Sequence, residues 1–211
     1  ISAGSTVVLY FQTLQTIIWQ LVSDTSKEVL KATAEAVYNF AQAIATYSRS
    51  DFNDLLFFFN SLASKLLSFG DEIRVYMSLL LFKQLITVSP EYFAQYFGAV
   101  YSAINETASD KQSFVRIASY NAISCMSRVD QFKFLDMNAA DEIFDRTEEL
   151  IDEFPEDVVE SLCLLISTIP DYMKSRIDDL INFCKKIVKL KKNHMILYMN
   201  FKWNTEIIDF H

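Results

Sequence analysis

Apolar residues recur at i, i+3 and i+4 spacing along nearly the whole chain. That is the periodicity of amphipathic α-helices. The breaks between the periodic stretches predict ten helices, near 5–22, 25–48, 51–68, 71–88, 90–104, 110–129, 138–154, 155–168, 170–190 and 195–209. Ser50-Asp51 opens one helix, Gly70 marks its end, and Asp71 opens the next, following the usual preference for Asp or Ser at helix starts and Gly just past helix ends. Pro90, Pro155 and Pro170 each stand before an acidic residue. Proline at the first helical position with an acid behind it is a helix start, so no proline interrupts a helix.

The helices repeat. Four segments overlay: Glu28-Val-Leu-Lys31-Ala-Thr-Ala, Glu72-Ile-Arg74-Val-Tyr-Met, Phe114-Val-Arg116-Ile-Ala-Ser-Tyr and Val158-Val-Glu160-Ser-Leu-Cys. Their aligned aliphatics are Leu30, Ile73, Val115 and Val159, spaced by 43, 42 and 44 residues. A period near 43 with two helices per period is the signature of HEAT or armadillo arrays. The predicted fold is all-α, a right-handed α–α superhelix of about five helix pairs near 5–48, 51–88, 90–129, 138–168 and 170–209. The second helix of each pair carries the aliphatic-charged signature. Asp24, Asp71 and Asp110 precede these helices and read as caps. Because the chain starts at Ile1 rather than Met, the expectation is one solenoid segment cut from a longer chain.

Composition supports the helical reading. The 211 residues include only 3 Gly and 3 Pro, where an average chain of this length carries roughly 15 and 10. Sheet sandwiches and glycine-loop nucleotide folds are thereby disfavoured. Residues 1–23 are uncharged, but Gln12, Gln15 and Gln20 interrupt them, so no membrane span is expected. Cys125, Cys163 and Cys184 lack metal or redox spacing and sit in apolar helical contexts. They are expected to be buried free thiols, which suits a reducing compartment. Charge is uneven. Residues 105–180 hold 7 basic and 17 acidic groups, while 181–211 hold 6 and 2. The acidic middle excludes the basic face that nucleic acid requires.

Catalytic chemistry finds no carrier. His194 and His211 lie near the end of the chain, and no metal-binding Cys/His cluster or phosphate-cradling glycine loop occurs. No enzyme activity, metal or cofactor is expected. The helix predicted at 138–154 is more informative. Asp141, Asp145, Glu148 and Asp152 share a stripe about 60° wide, given a turn of 100° per residue. Glu142, Glu149 and Glu153 flank it, and Ile143, Phe144, Leu150, Ile151 and Phe154 take the other face. These seven acids are the candidate strip for a basic protein partner. Lys185, Lys186, Lys189, Lys191 and Lys192 end a helix that begins with Asp171, Asp178 and Asp179, an order that complements the helix dipole. Phe57, Phe58 and Phe59 are consecutive, so one at least must face away from the core. Phe93, Tyr96, Phe97 and Tyr101 have core spacing.

Several of these stretches resemble the importin-β (karyopherin) family of nuclear transport receptors. One is Ile73-Arg74-Val-Tyr-Met-Ser-Leu-Leu-Leu-Phe-Lys-Gln-Leu with Ser89-Pro90-Glu91-Tyr92-Phe93. The others are Phe114-Val-Arg116-Ile-Ala-Ser-Tyr-Asn-Ala-Ile, and Asp157-Val-Val-Glu-Ser-Leu-Cys-Leu-Leu-Ile-Ser with Pro170-Asp171-Tyr172. The likeness spans about 28–175. It implies a flexible superhelix that moves between cytoplasm and nucleus, carries protein cargo through nuclear pores, binds Ran in its GTP state, and takes Phe-Gly nucleoporins between outer helices and basic cargo on acidic inner surfaces. No contact residue for Ran or nucleoporins transfers to this sequence. Cohesin and condensin subunits and phosphatase scaffolds use similar repeats, so the alternative expectation is a structural scaffold subunit.

Overall fold

The protein is described here as a computed structural model, which describes residues 10–130 and 137–192. The helix predicted at 195–209, the start of the one at 5–22, and both histidines lie outside those residues. Every described regular element is an α-helix. They are α1 (Phe11–Leu21), α2 (Lys27–Tyr47), α3 (Arg49–Ser68), α4 (Glu72–Val88), α5 (Pro90–Ala94), α6 (Phe97–Thr107), α7 (Ser113–Met126), α8 (Met137–Glu149), α9 (Pro155–Thr168), α10 (Pro170–Ser175) and α11 (Ile177–Lys192). The chain divides into two compact units, 1–175 and 176–211.

Local chemistry explains the boundaries. Asp71 caps α4, its carboxylate accepting from the Arg74 N–H at 3.0 Å. Asp24 and Asp110 do not cap directly. Each accepts from the N–H two residues on, of Ser26 at 2.7 Å and Gln112 at 2.8 Å, and that next residue is the cap. Both are Asx turns feeding a helix start. All three prolines stand first in their helices. Gly70 follows α3 with φ 73°, the left-handed conformation that glycine adopts at a helix end.

Two predicted helices are each two. The stretch 90–104 breaks at Gln95–Tyr96, and 170–190 breaks at Arg176. In each case a proline-started helix of five or six residues precedes a longer one. At the first break the Tyr96 N–H turns to the Phe93 carbonyl at 3.0 Å, a three-residue bond that ends the α-helical ladder. Periodicity alone cannot register such a break, because the aromatic spacing continues through it. Asp171 therefore belongs to α10, and only Asp178 and Asp179 occupy the first turn of α11.

The core of the first unit lies along a row of helices. α4 packs on α2 and on α7, and α7 packs on α9. These are the second helices of the predicted pairs. Against them pack α3 on α4, α6 on α7, and α8 on both α7 and α9. α1 packs on α2. α4 is buried continuously from Val75 to Phe82, and again at Leu85 and Ile86. α7 is buried from Ile117 to Met126. A helix apolar on all sides must have neighbours on all sides. The aligned aliphatics do not share one environment. Leu30 and Val115 are fully buried, while Ile73 and Val159 are half-exposed beside the buried Val75 and Val158. The alignment read from the sequence is therefore off by two residues at Ile73 and by one at Val159.

Small hydroxyl side chains let the row pack closely. Ser78 donates to the Ala63 carbonyl at 2.7 Å, Ser124 and Ser161 pair at 2.5 Å, and Ser127 and Thr168 pair at 2.6 Å. Each satisfies a buried polar group that would otherwise destabilise the core. Thr87 reaches Cys125 Sγ at 3.5 Å.

Candidate functional site

The acidic strip is only partly helical. α8 ends at Glu149, and residues 150–153 form a turn. Asp141, Glu142, Asp145, Glu148 and Glu149 stand on the helix, while Asp152 and Glu153 stand on the turn. The turn lets Leu150 and Ile151 dive into the core and lets Pro155 start α9 directly. The predicted partition of faces is present: Ile143, Phe144, Leu150 and Ile151 are buried, and Phe154 is half-buried. Six of the seven acids are exposed, and Asp141 is half-buried beneath the Tyr172 hydroxyl, which donates to it. Several members have local partners. Glu142 pairs with Arg146, and Glu153 accepts from the Ser113 hydroxyl at 2.7 Å. Arg146 also donates to Ser109 at 3.2 Å. Electrostatically the strip is a largely exposed acidic edge, tied to α10 at Asp141 and to the start of α7 at Glu153.

The other predicted features divide in the same way. Phe59 is fully buried, Phe58 half-buried and Phe57 66% exposed, as three consecutive helical positions require. Trp19 on α1 approaches Phe58 with ring centroids 6.3 Å apart. Of the aromatics from 93 to 101, only Phe93 is core. Tyr96 is exposed, and Phe97 and Tyr101 stack at 5.7 Å on a half-exposed face. The break at Gln95–Tyr96 turns them away from the core. Cys125 is buried, and that burial pushes its thiol up. Cys163 is exposed and Cys184 half-buried. The expectation of three buried thiols thus holds only for the cysteine on the central helix α7. In α11, Phe183 and Ile187 are buried while Lys185 and Lys189 are exposed.

A constellation not anticipated from the sequence lies across the row of second helices. Lys31 on α2 meets Asp157 on α9 at 3.5 Å, although 126 residues separate them. Lys83 on α4 meets Glu160 on α9 at 2.6 Å. Between them sits a cleft lined by Tyr76, Phe114, Asn121 and Phe154 among others, with a free volume of about 20 Å³. That is room for about one water, not for a substrate. Phe114 packs edge-on against Tyr76 at 5.3 Å and carries the Lys27 ammonium 4.1 Å above its ring. Burial, together with the negative Asp157 nearby, pushes the Tyr76 phenol well above its ordinary range. The buried Asn121 Oδ1 has no hydrogen-bond partner. One signal for this site was present in the sequence. Lys83 is the sole charge in α4 after Arg74, and a lone cation in an otherwise apolar helix needs an anion nearby.

Arg74 and Arg116 serve the connections instead. Arg74 pairs with Asp71 at 3.1 Å and lies over the Phe69 ring at 4.7 Å. Arg116 donates to the carbonyls of Asp110 and Lys111, both at 3.0 Å. Each guanidinium braces the loop before its own helix. No family model, curated protein or solved structure matches the chain. Among the described residues no cluster of His, Cys, Asp and Glu could hold a metal ion, and no helix is long and apolar enough to cross a membrane.

Proposed function

We propose that the chain is a segment of a HEAT-type solenoid that binds proteins and catalyses no reaction. On this reading it belongs to a nuclear transport receptor resembling the importin-β family, which carries protein cargo between cytoplasm and nucleus and responds to Ran-GTP. The observation that carries the solenoid step is the row α2, α4, α7 and α9, in which successive second helices pack on one another at the period of about 43 read from Leu30, Ile73, Val115 and Val159. A helix pair cannot bury its apolar face alone, so stacking neighbours builds one continuous core and one extended surface. The transport step rests on the Ile73–Leu85, Phe114–Ile123 and Asp157–Ser167 stretches that resemble that family.

The acidic strip takes the role of a docking face for a basic protein. It stands on α8 and the following turn, outside the row of second helices. The basic partner is therefore assigned to the outer side of the fourth pair, not to the inner surface that the family's cargo uses. The narrow inner cleft favours a second reading, a structural scaffold subunit in a larger assembly, because a carrier needs an accessible inner surface. Capture by immobilised Ran-GTP and Phe-Gly peptides separates the two. Binding of both supports transport. Binding of neither, with one stable subunit partner co-purifying, overturns it in favour of the scaffold. For the strip, reversing Asp145, Glu148 and Asp152 to Lys should abolish low-salt binding to a basic peptide, and unchanged binding reduces the strip to a solvated face.

A further inference from the structure

We propose that Lys31–Asp157 and Lys83–Glu160 form a strap that holds the inner face of the helix row closed, so that the row has a tight and a relaxed state. The strap is read from geometry and stands whether the chain is a transport segment or a scaffold. In the packing order α2, α4, α7, α9, contact runs between successive members. Lys83 skips one member to reach α9, and Lys31 skips two. Side chains from first and fourth positions can meet only where the row curves strongly toward that face. Within each pair one partner is sheltered. Lys83 is 16% exposed against 46% for Glu160, and Asp157 is 23% exposed against 48% for Lys31. Shelter reduces screening, so these pairs differ from free surface contacts.

What lies beneath is suited to opening. The cleft floor holds Tyr76 and Phe114, and the unpartnered Asn121 Oδ1. The free volume of about 20 Å³ shows a face shut by its own side chains rather than filled by core. Two ammonium groups, those of Lys31 and Lys83, line the same cleft, which an apolar core would exclude. Relaxing the curvature would hydrate Asn121 and leave the helix-to-helix contacts of the row in place, since those are made by separate residues such as Ser124 and Ser161.

The test is the distance between spin labels placed at Glu35 on α2 and Glu156 on α9, both exposed, in the full chain with Cys163 and Cys184 replaced by Ser. Lys31→Met with Lys83→Met keeps the apolar stems and removes only the charges. Lys31→Glu with Lys83→Glu adds repulsion. The strap predicts that the label distance lengthens beyond the spread of the parent protein in the Met pair, and further in the Glu pair. Adding Asp157→Lys and Glu160→Lys to the Glu pair should bring it back. Helical circular dichroism unchanged in the Met pair keeps the comparison valid if the Glu pair does not fold. A distance in the folded Met pair that stays within the parent distribution overturns the strap, as does a Glu pair that opens but is not restored by the reversed partners.

Discussion

α4 and α8 are both helices of the first compact unit, yet they solve opposite problems. α4 is buried on every side, from Val75 to Phe82 without interruption, because α2, α3 and α7 surround it. Among its described side chains α8 buries Ile143, Phe144 and Thr147, and it presents acids to water. The apolar pattern of α8 therefore states its orientation, while that of α4 states only that it is enclosed. A helix packed along one face writes that face into its periodicity, and a helix packed on every side erases it. The same contrast separates α7 from α11, whose buried residues Phe183 and Ile187 stand four apart.

The comparison implies a graded response to substitution. Phe82→Ala, in α4 where Phe82 is 1% exposed, should cost about 3–5 kcal/mol, read as a large fall in the denaturant midpoint. Ser161→Ala leaves Ser124 without its 2.5 Å partner and should cost about 1–3 kcal/mol. The double change Ser124→Ala with Ser161→Ala should cost less than the two single changes added, because no orphan hydroxyl then remains. Additive costs would show that the pair is not coupled. Asp71→Ala removes the cap of α4 and should cost about 1 kcal/mol, seen as a modest drop in melting temperature. On α8, Asp145→Lys with Glu148→Lys should change stability by no more than about 0.5 kcal/mol. A loss as large as that at Ser161 would mean that the acidic edge is structural and the contrast between the two helices is false.

Much of the helical inventory was legible in the sequence. Pro155 and Pro170 mark their starts, Gly70 its stop and Asp71 its cap, since each acts through backbone chemistry that is local. The breaks at Gln95–Tyr96 and Arg176 were not legible, because aromatic and charged spacing runs through them without a glycine or proline. The end of α8 was misplaced for a related reason. Asp152 and Glu153 continue the acidic pattern after the backbone has already turned to bury Leu150 and Ile151. The face of the candidate strip could be read because acids and aliphatics alternate at helical spacing there. The Lys31–Asp157 and Lys83–Glu160 pairs could not, since partners 126 and 77 residues apart depend on how several helices pack together.

The central claim is that α2, α4, α7 and α9 form one stacked row with the remaining helices of the first unit outside it. Native-state hydrogen exchange read helix by helix tests it most directly, since amides in a packed row open last. The account predicts that α4 and α7 exchange slowest, α2 and α9 next, and α1 and α8 first. Protection of α8 equal to that of α4, or early exchange of α7, would contradict it.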